Sequence, residues 1–275
     1  MPDLFFPFQD SDEPVVEIVS PNNASLQWLT VRLVRLDAKY REWKFDTGPD
    51  EAVLDIFGGS CTVNISAGAR SATYTEIGSR LNVFAGKPTM VYIPRDARVT
   101  IHADSETFEG VVITAPARES YSPALVYPDE AQTKAVGKDN WQRSVVTSIG
   151  ENVQADRLIV GETTNPPGNW SSAPPHKHDR NEGDERYMEE VYLYKTNPAQ
   201  GFGLQRVYTA PGDEEPFDVT YAVHNNDVVV LPRGYHPVAA APGYQLFYLW
   251  ALAGEERKYG AWSDDPDHAW IKGVQ

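Results

Sequence analysis

Short runs of β-branched and aromatic residues recur along this chain, and glycine, proline or asparagine separates each run from the next. The clearest runs are residues 28–34, 53–57, 89–93, 109–113, 157–160, 191–194, 228–231 and 245–250. Many short strands between turn signals are typical of an all-β sandwich or barrel. Only residues 128–136 carry a helical apolar period, within a stretch from 119 to 139 that we interpret as a linker.

The two sides of this linker resemble each other. Residues 51–56 match residues 189–194, and residues 92–95 match residues 230–233, both at an offset of 138 residues. A repeat at one fixed offset indicates a duplicated structural unit. We therefore predict two tandem barrels, at residues 1–138 and 139–275.

The charge and the cysteine content of the chain argue against several kinds of binding partner and metal site. Acidic residues outnumber basic ones by 39 to 24, and the net charge of −15 opposes binding to nucleic acid or to an anionic membrane surface. Cys61 is the one cysteine, which excludes an internal disulfide and a cysteine-rich zinc site. Because we find no signal peptide and no apolar run of membrane-spanning length, we expect a cytoplasmic protein.

Two histidines separated by one residue, His176 and His178, form the first candidate for a metal site. On a strand, residues i and i+2 project from the same face, so both imidazoles can bind one ion while Lys177 points away. The alternative is that the acidic stretch 176–190 is only a solvated loop.

Further candidate ligands follow along the chain. Glu189 and Glu190 precede an aromatic strand, and His236 follows a turn that contains Gly234. Three neutral imidazoles and one carboxylate suit zinc, manganese, iron or nickel, and they leave coordination positions for water or substrate. An open site of this kind is more often catalytic than structural.

The order of these residues resembles the two sequence motifs of the cupins, in which a His-x-His pair is followed by a glutamate and then by a histidine after a Pro-x-Gly turn. Glu190 lies twelve residues after His178, further than in that pattern. This departure leaves Glu189 or Glu185 as alternatives to Glu190.

Eight segments spread along nearly the whole chain carry a more specific resemblance. They are residues 82–88, 91–94, 140–145, 174–179, 189–194, 201–208, 230–238 and 265–270. Together they resemble the 5-deoxy-glucuronate isomerase family of inositol catabolism, which is related to the 5-keto-4-deoxyuronate isomerases.

The resemblance implies an all-β bicupin, that is, two tandem double-stranded β-helix (jelly-roll) barrels with one divalent metal ion. By motif position the implied ligands are His176, His178, Glu190 and His236. Glu190 is preferred over Glu189 because the family's ligand directly precedes the Val-Tyr strand. Zinc is the expected ion, with manganese, iron or nickel as alternatives.

The repeat indicates which half holds the metal. At the offset of 138 residues, Ala52 corresponds to Glu190 and Arg98 to His236, and His102 is the one histidine before the linker. The first half is therefore expected to be a degenerate cupin without metal ligands.

The implied activity is an aldose–ketose isomerisation that converts 5-deoxy-D-glucuronate to 5-dehydro-2-deoxy-D-gluconate. This reaction removes a proton next to the aldehyde, passes through an enediolate and returns a proton to the neighbouring carbon. A divalent metal would stabilise the developing negative charge. The expected partners are a small uronic acid and further copies of the chain in a homo-oligomer.

Catalytic residues are predicted from position alone. Glu189 and Tyr248 are candidates for proton transfer, since a ligating carboxylate has its lone pairs engaged. Arg206 is the first candidate for binding the substrate carboxylate and Arg233 the second. For each arginine, a surface salt bridge is the alternative.

Other interpretations stay open. A cupin dioxygenase uses the same ligands with iron or nickel, and a related uronate isomerase would share the site. A non-catalytic sugar-binding bicupin would tolerate loss of the ligands, so their retention counts against it. His268 and Trp270 belong to a family-like segment and are expected to close over the pocket.

Overall fold

The computed structural model describes residues 3–273. Its regular structure consists of β-strands and three short 3-10 turns, η1 (Gly68–Arg70), η2 (Asp139–Trp141) and η3 (Ala269–Gly273). A helix of membrane-spanning length is absent from this range. The prediction of an all-β chain is confirmed.

Strands fill both halves of the chain. Those of the first half are β1 (Phe5–Phe6), β2 (Val15–Val19), β3 (Thr30–Leu36), β4 (Glu42–Asp46), β5 (Asp50–Gly58), β6 (Cys61–Ser66), β7 (Ala72–Ile77), β8 (Met90–Ile93), β9 (Arg98–Ala103), β10 (Phe108–Pro116) and β11 (Ala124–Val126). Those of the second half are β12 (Gln132–Val136), β13 (Arg143–Ile149), β14 (Leu158–Asn165), β15 (Trp170–Ser171), β16 (His176–Lys177), β17 (Met188–Asn197), β18 (Gly203–Tyr208), β19 (Asp218–Val223), β20 (Val228–Leu231), β21 (Val238–Ala240), β22 (Gln245–Gly254) and β23 (Ser263–Asp264).

Each half forms a large and a small antiparallel sheet. In the first half the orders are β11-β8-β5-β10-β3-β2 and β4-β9-β6-β7. In the second half they are β20-β17-β22-β14-β13-β12, extended beside β20 by β1 of the first half, and β15-β21-β18-β19, with β16 and β23 as a separate pair. Two such barrels in tandem are the bicupin that the sequence predicts.

The helical interpretation of residues 128–136 is wrong. Residues 127–130 form a turn in which the Glu130 amide donates a hydrogen bond to the Tyr127 carbonyl. This turn leads into β12, where Thr133 lies opposite Val146 of β13. Ladder pairing within the sheet overrides a weak local period. The two sheet systems therefore change over between β11 and β12, and the division at residue 138 stays a prediction.

The large sheets of the two halves pack against each other. Alternate residues of β5 serve two cores, because Val53 joins the apolar core shared by the halves whereas Leu54 and Ile56 fill the interior of the first barrel. Ala52, at the repeat position of Glu190, belongs to that interior as well. The space that holds candidate ligands in the second barrel is filled with apolar side chains in the first.

Two buried glutamates at equivalent repeat positions join the barrels. The Glu189 carboxylate accepts hydrogen bonds from the backbone amides of residues 27–29 at 2.6–2.7 Å. The Glu51 carboxylate accepts three from residues 156–158 at 2.7–2.8 Å. Each half thus inserts a carboxylate into the backbone at the start of a strand in the other half.

Removing one of these carboxylates should destabilise the protein strongly. Glu189→Ala leaves three amides without an acceptor at a site where the glutamate is fully buried, so we expect a loss of about 3 kcal/mol in the free energy of unfolding. Urea denaturation measures it. The control is Glu256→Ala, since Glu256 is 66% exposed and pairs with Arg186. Equal effects of the two substitutions would contradict a joining role for Glu189.

Candidate metal centre

One face of the seven-stranded sheet forms the floor of a cavity of about 470 Å³ in the second barrel. Side chains point into it at every second position of β13, β17 and β22, as strand geometry requires. From these strands the cavity is lined by Arg143, Val145, Thr147, Glu190, Tyr192, Tyr248, Trp250 and Leu252. The opposite face of the same strands packs against the first half, so the fold sets which residues face the cavity.

Three of the predicted metal ligands form a cluster, and two of them, His176 and His178, line this cavity. His176 and His178 come from β16 and the residue after it, and His236 from the turn between β20 and β21. One ring nitrogen of each lies within 4.8 Å of the others. This spacing suits three ligands around a single ion.

Backbone carbonyls set the orientation of two of the rings. The Nδ1 atom of His178 lies 2.6 Å from the Met188 carbonyl oxygen, and that of His236 lies 2.9 Å from the Gly234 carbonyl oxygen. An Nδ1–H that donates to a carbonyl leaves Nε2 with its lone pair free for a metal. Both Nε2 atoms accordingly face the centre of the cluster.

Glu190 completes the cluster from β17. Its Oε2 atom lies 3.1 Å from Nε2 of His178 and 3.4 Å from Nε2 of His236. The Nε2 atom of His236 is buried and has no hydrogen-bond partner within residues 3–273. A buried nitrogen without a partner is costly unless it has a ligand. Three imidazoles and one carboxylate therefore fit a divalent cation.

The electrostatics favour neutral imidazoles at His176 and His236. Burial and the neighbouring imidazoles lower the pKa of His176 well below its usual value, and burial lowers the pKa of His236 to about 4. Burial also disfavours charge on His178, but its hydrogen bond to Glu190 leaves the His178 pKa raised. Neutral imidazoles are the form that binds metals.

A buried ion cluster fixes the backbone beneath these ligands. The Lys177 ammonium lies 2.7 Å from Asp179 and 2.9 Å from Glu185. Asp179 in turn accepts the Gly234 amide at 2.9 Å, which ties the His178 segment to the turn that carries His236. Lys177 points away from the histidines as strand alternation predicts. Glu185 is occupied by Lys177, so it is not the alternative to Glu190.

The turn before His236 requires glycine. Gly234 has φ +94°, and a Cβ atom there would lie 2.7 Å from the Tyr208 carbonyl oxygen. Tyr208 and Tyr235 also exchange backbone hydrogen bonds at 2.8 and 2.9 Å. These constraints place His236 beside Glu190 and the other two histidines.

Two tyrosines stand beside the cluster. The Tyr248 hydroxyl donates to Ser171 Oγ at 2.8 Å, and the Tyr192 hydroxyl lies 3.4 Å from Ser172 Oγ. Their ring centroids are 4.5 Å apart. Burial raises the pKa of both phenols, so both are neutral at pH 7. Tyr248, a candidate from the sequence, lines the same cavity as His176, His178 and Glu190.

Three other predicted residues do not lie in this cavity. Glu189 is on the opposite face of β17, where the amides of residues 27–29 engage it, so its proposed part in proton transfer was wrong. Arg206 is on β18 and makes two hydrogen bonds to Asp218, at 2.7 and 2.8 Å. Arg233 pairs with Asp213. Pairings across sequence-distant strands and turns decide these positions.

The prediction for His268 and Trp270 also needs correction. Neither lines the cavity of the histidines. Trp270 is 66% exposed and borders a separate surface depression together with His268 and Trp141. Lys272, from the same turn η3, is the residue that reaches the rim of the main cavity.

The sequence analysis missed Arg143, which lines the cavity as the first residue of β13. Two signals were available. Arg143 lies within the segment 140–145, and the alternation of Arg143, Val145 and Thr147 places all three on one strand face. Alternation does not say which face, and that depends on the pairing of β13 with β12 and β14.

Comparisons with known proteins agree with this architecture. Residues 5–271 match the model of the KduI/IolB family. The chain is 36% identical over 263 residues to a 5-deoxy-glucuronate isomerase of Geobacillus kaustophilus, an alignment that covers 95% of this chain and 92% of that protein. It is 38% identical over 260 residues to a 5-deoxy-glucuronate isomerase of Bacillus licheniformis, and that alignment covers 94% of this chain and 92% of that protein.

Solved structures show the same fold. An IolB-like protein from Salmonella typhimurium superposes with a TM-score of 0.90 at 33% identity and covers 98% of this chain and 99% of its own. Oxalate decarboxylase of Bacillus subtilis gives a TM-score of 0.65 at 12% identity, over 94% of this chain and 79% of its own. The latter likeness concerns the fold alone.

The cluster predicts that the protein binds one divalent ion per chain. His236→Ala removes the buried nitrogen that has no hydrogen-bond partner. The metal content of the purified variant should therefore fall far below one ion per chain. Elemental analysis by mass spectrometry measures it after dialysis against zinc. His224→Ala is the control, because the side chain of His224 is 57% exposed in a turn. Full metal content in His236→Ala would remove the histidine from the site.

Proposed function

Because the chain belongs to the KduI/IolB family, we propose that it is an aldose–ketose isomerase that converts 5-deoxy-D-glucuronate to 5-dehydro-2-deoxy-D-gluconate in inositol catabolism. The observation that carries this proposal is the cluster of three histidines and Glu190 beside a cavity lined by two neutral tyrosines. The names of the relatives support the choice of substrate.

His176, His178, Glu190 and His236 would hold the metal, with zinc as the proposed ion. Bound there, a divalent cation would supply electrophilic stabilisation of negative charge on the sugar oxygens, a contribution of several kcal/mol. The carbonyls of Met188 and Gly234 keep two imidazoles in the binding tautomer. Lys177 and Asp179 hold the strand and the turn in register.

Tyr248 is proposed to move a proton between the two sugar oxygens. Isomerisation converts the aldehyde oxygen into a hydroxyl and the neighbouring hydroxyl into a carbonyl, so one proton leaves the second oxygen while another joins the first. A neutral phenol can donate to one oxygen and accept from the other. The Tyr248 hydroxyl donates to Ser171 Oγ at 2.8 Å, so its proton would turn to the sugar when substrate binds, and the Ser171 hydroxyl would then donate to the phenolic oxygen.

Apolar side chains in the walls of the cavity limit the water around this chemistry. Trp250 and Leu252 line it from β22, and Trp262 lies against His176 with ring centroids 4.8 Å apart. A site with little water strengthens each electrostatic contact and protects a reactive enediolate from side reactions.

The proposal extends to the domains, the oligomeric state and the cellular compartment of the protein. We propose a catalytic domain at residues 139–275, a first domain without metal ligands, and a homo-oligomer in the cytoplasm. Apolar packing around Ala52 supports the assignment of the first domain. A single buried cysteine, Cys61, suits a reducing compartment.

The reaction itself is tested by NMR with zinc-loaded protein and 5-deoxy-D-glucuronate in D₂O. We expect the ketose to form, with deuterium at the former aldehyde carbon, because a proton removed from the α-carbon exchanges before it returns. The His236→Ala variant is the control. No conversion by folded, zinc-loaded protein would contradict the substrate assignment, and oxygen uptake would point to a cupin dioxygenase.

Replacing Tyr248 by phenylalanine keeps the packed ring and removes the hydroxyl. We expect kcat to fall about 100-fold, the lower range for loss of a proton-transfer group, with KM within about twofold and zinc content unchanged. Steady-state kinetics measure both constants. Tyr244→Phe is the matched control, since Tyr244 packs on Phe202 outside the cavity. Equal kcat values for the two variants would remove Tyr248 from the reaction.

A further inference from the structure

Arg143 is a cation in the cavity without an anionic partner. Among the described residues no carboxylate lies within 4.0 Å of its guanidinium. The carboxylates that line the cavity are otherwise engaged, Glu190 by the histidines and Asp264 by Lys272. The positive charge of Arg143 therefore faces the cavity uncompensated.

This lack of a partner stands out in so acidic a chain. Acidic residues exceed basic ones by 39 to 24, and the arginines first considered for substrate binding are paired, Arg206 with Asp218 and Arg233 with Asp213. Taking a guanidinium out of water is unfavourable unless an anion meets it. An unpaired arginine inside a cavity is thus placed to receive an anion from solution.

The side chain of Arg143 is held in place by its own segment. Its Nη1 atom donates to the Trp141 carbonyl at 3.3 Å, and its guanidinium carbon lies 6.0 Å from the centre of the Trp141 ring. Backbone pairing with β12 places Arg143 opposite Val136. A guanidinium positioned before the ligand arrives loses less entropy on binding.

Arg143 also lies on the same sheet face as the proposed chemistry. It lines one cavity with His176, Glu190, Tyr192 and Tyr248. Lys134 of β12, which pairs with Val145 of β13, is exposed at the rim of that cavity. The cavity therefore has a cationic side and a metal-binding side, and Tyr248 on β22 lies between β13, which carries Arg143, and β17, which carries Glu190.

We propose that Arg143 binds the carboxylate of an open-chain uronic acid whose aldehyde end lies at the histidine cluster, an inference that rests on the proposed function. A guanidinium can make two parallel hydrogen bonds to a carboxylate. This contact fixes which end of the substrate reaches the metal-binding residues. It also makes Arg143 the residue that selects a uronic acid over a neutral sugar, because a neutral sugar leaves the cation unpaired.

The kinetic test compares Arg143→Gln with Arg206→Gln on 5-deoxy-D-glucuronate and on its neutral counterpart 5-deoxy-D-glucose, in which a hydroxymethyl group replaces the carboxylate. For Arg143→Gln we expect kcat/KM on the uronate to fall at least 100-fold, mainly through KM. On the neutral sugar the same variant should stay within threefold of the unaltered protein. Arg206→Gln should change neither. A parallel loss on both substrates, or no loss on the uronate, would overturn the proposal.

A binding measurement separates this proposal from the isomerase assignment. L-gulonate keeps the carboxylate of glucuronate but has no aldehyde, and D-sorbitol has neither group. Calorimetry with the zinc-loaded protein should show gulonate binding that weakens at least tenfold in Arg143→Gln and recovers in part in Arg143→Lys. Binding of sorbitol should not differ between variants.

The outcomes of the two tests are distinct. Arg143-dependent binding of gulonate without turnover of 5-deoxy-D-glucuronate would support the carboxylate site and reject the isomerase. Turnover that survives unchanged in Arg143→Gln would reject the carboxylate site and support the isomerase. Circular dichroism and zinc content, measured on each variant, establish that a loss of binding is not a loss of fold.

Discussion

Two adjacent glutamates on β17 connect the architecture to the site. Successive residues of a strand face opposite sides, so Glu189 reaches the backbone of the other barrel while Glu190 reaches the histidines. Glu189 is held at 2.6–2.7 Å by three amides, which fixes the strand and therefore its neighbour. The same contact that joins the barrels thus positions a candidate ligand, and a shift of β17 by one residue would lose both.

A second contact between the halves is a buried ion cluster. The Arg80 guanidinium lies 3.2 Å from Asp55 and 2.5 Å from Glu162 of β14. Burial, followed by the negative charge of Glu162, raises the pKa of Asp55 well above its usual range. Because Thr163, the next residue of β14, lines the cavity, this cluster and Glu189 hold the cavity floor from behind. The first barrel thereby supports the site, and none of its described residues belongs to the cluster of candidate ligands.

The all-β class and the His176–His178 pair could be predicted from the sequence because both depend on short-range geometry. Glu190 and His236 lie further along the chain, and their place in the ligand set was implied by the family resemblance. The sequence did not distinguish Arg206 from Arg143, because both are arginines and their local sequence does not show what each one contacts. Arg206 pairs with Asp218 of β19, whereas Arg143 lies in the cavity wall. The interpretation of residues 128–136 was wrong for the same reason, since their strand forms through pairing with β13.

A net charge of −15 opposes the approach of an anionic substrate, and the pairing of charged side chains removes this conflict. Across the surface, acidic side chains pair with arginines such as Arg206 and Arg233, and these cations then exert little net field. Inside the cavity the one guanidinium on the floor lacks such a partner among the residues described, and low-dielectric walls strengthen its field. Attraction of a carboxylate therefore depends on where a positive charge is left uncompensated, and the total charge of the chain does not determine it.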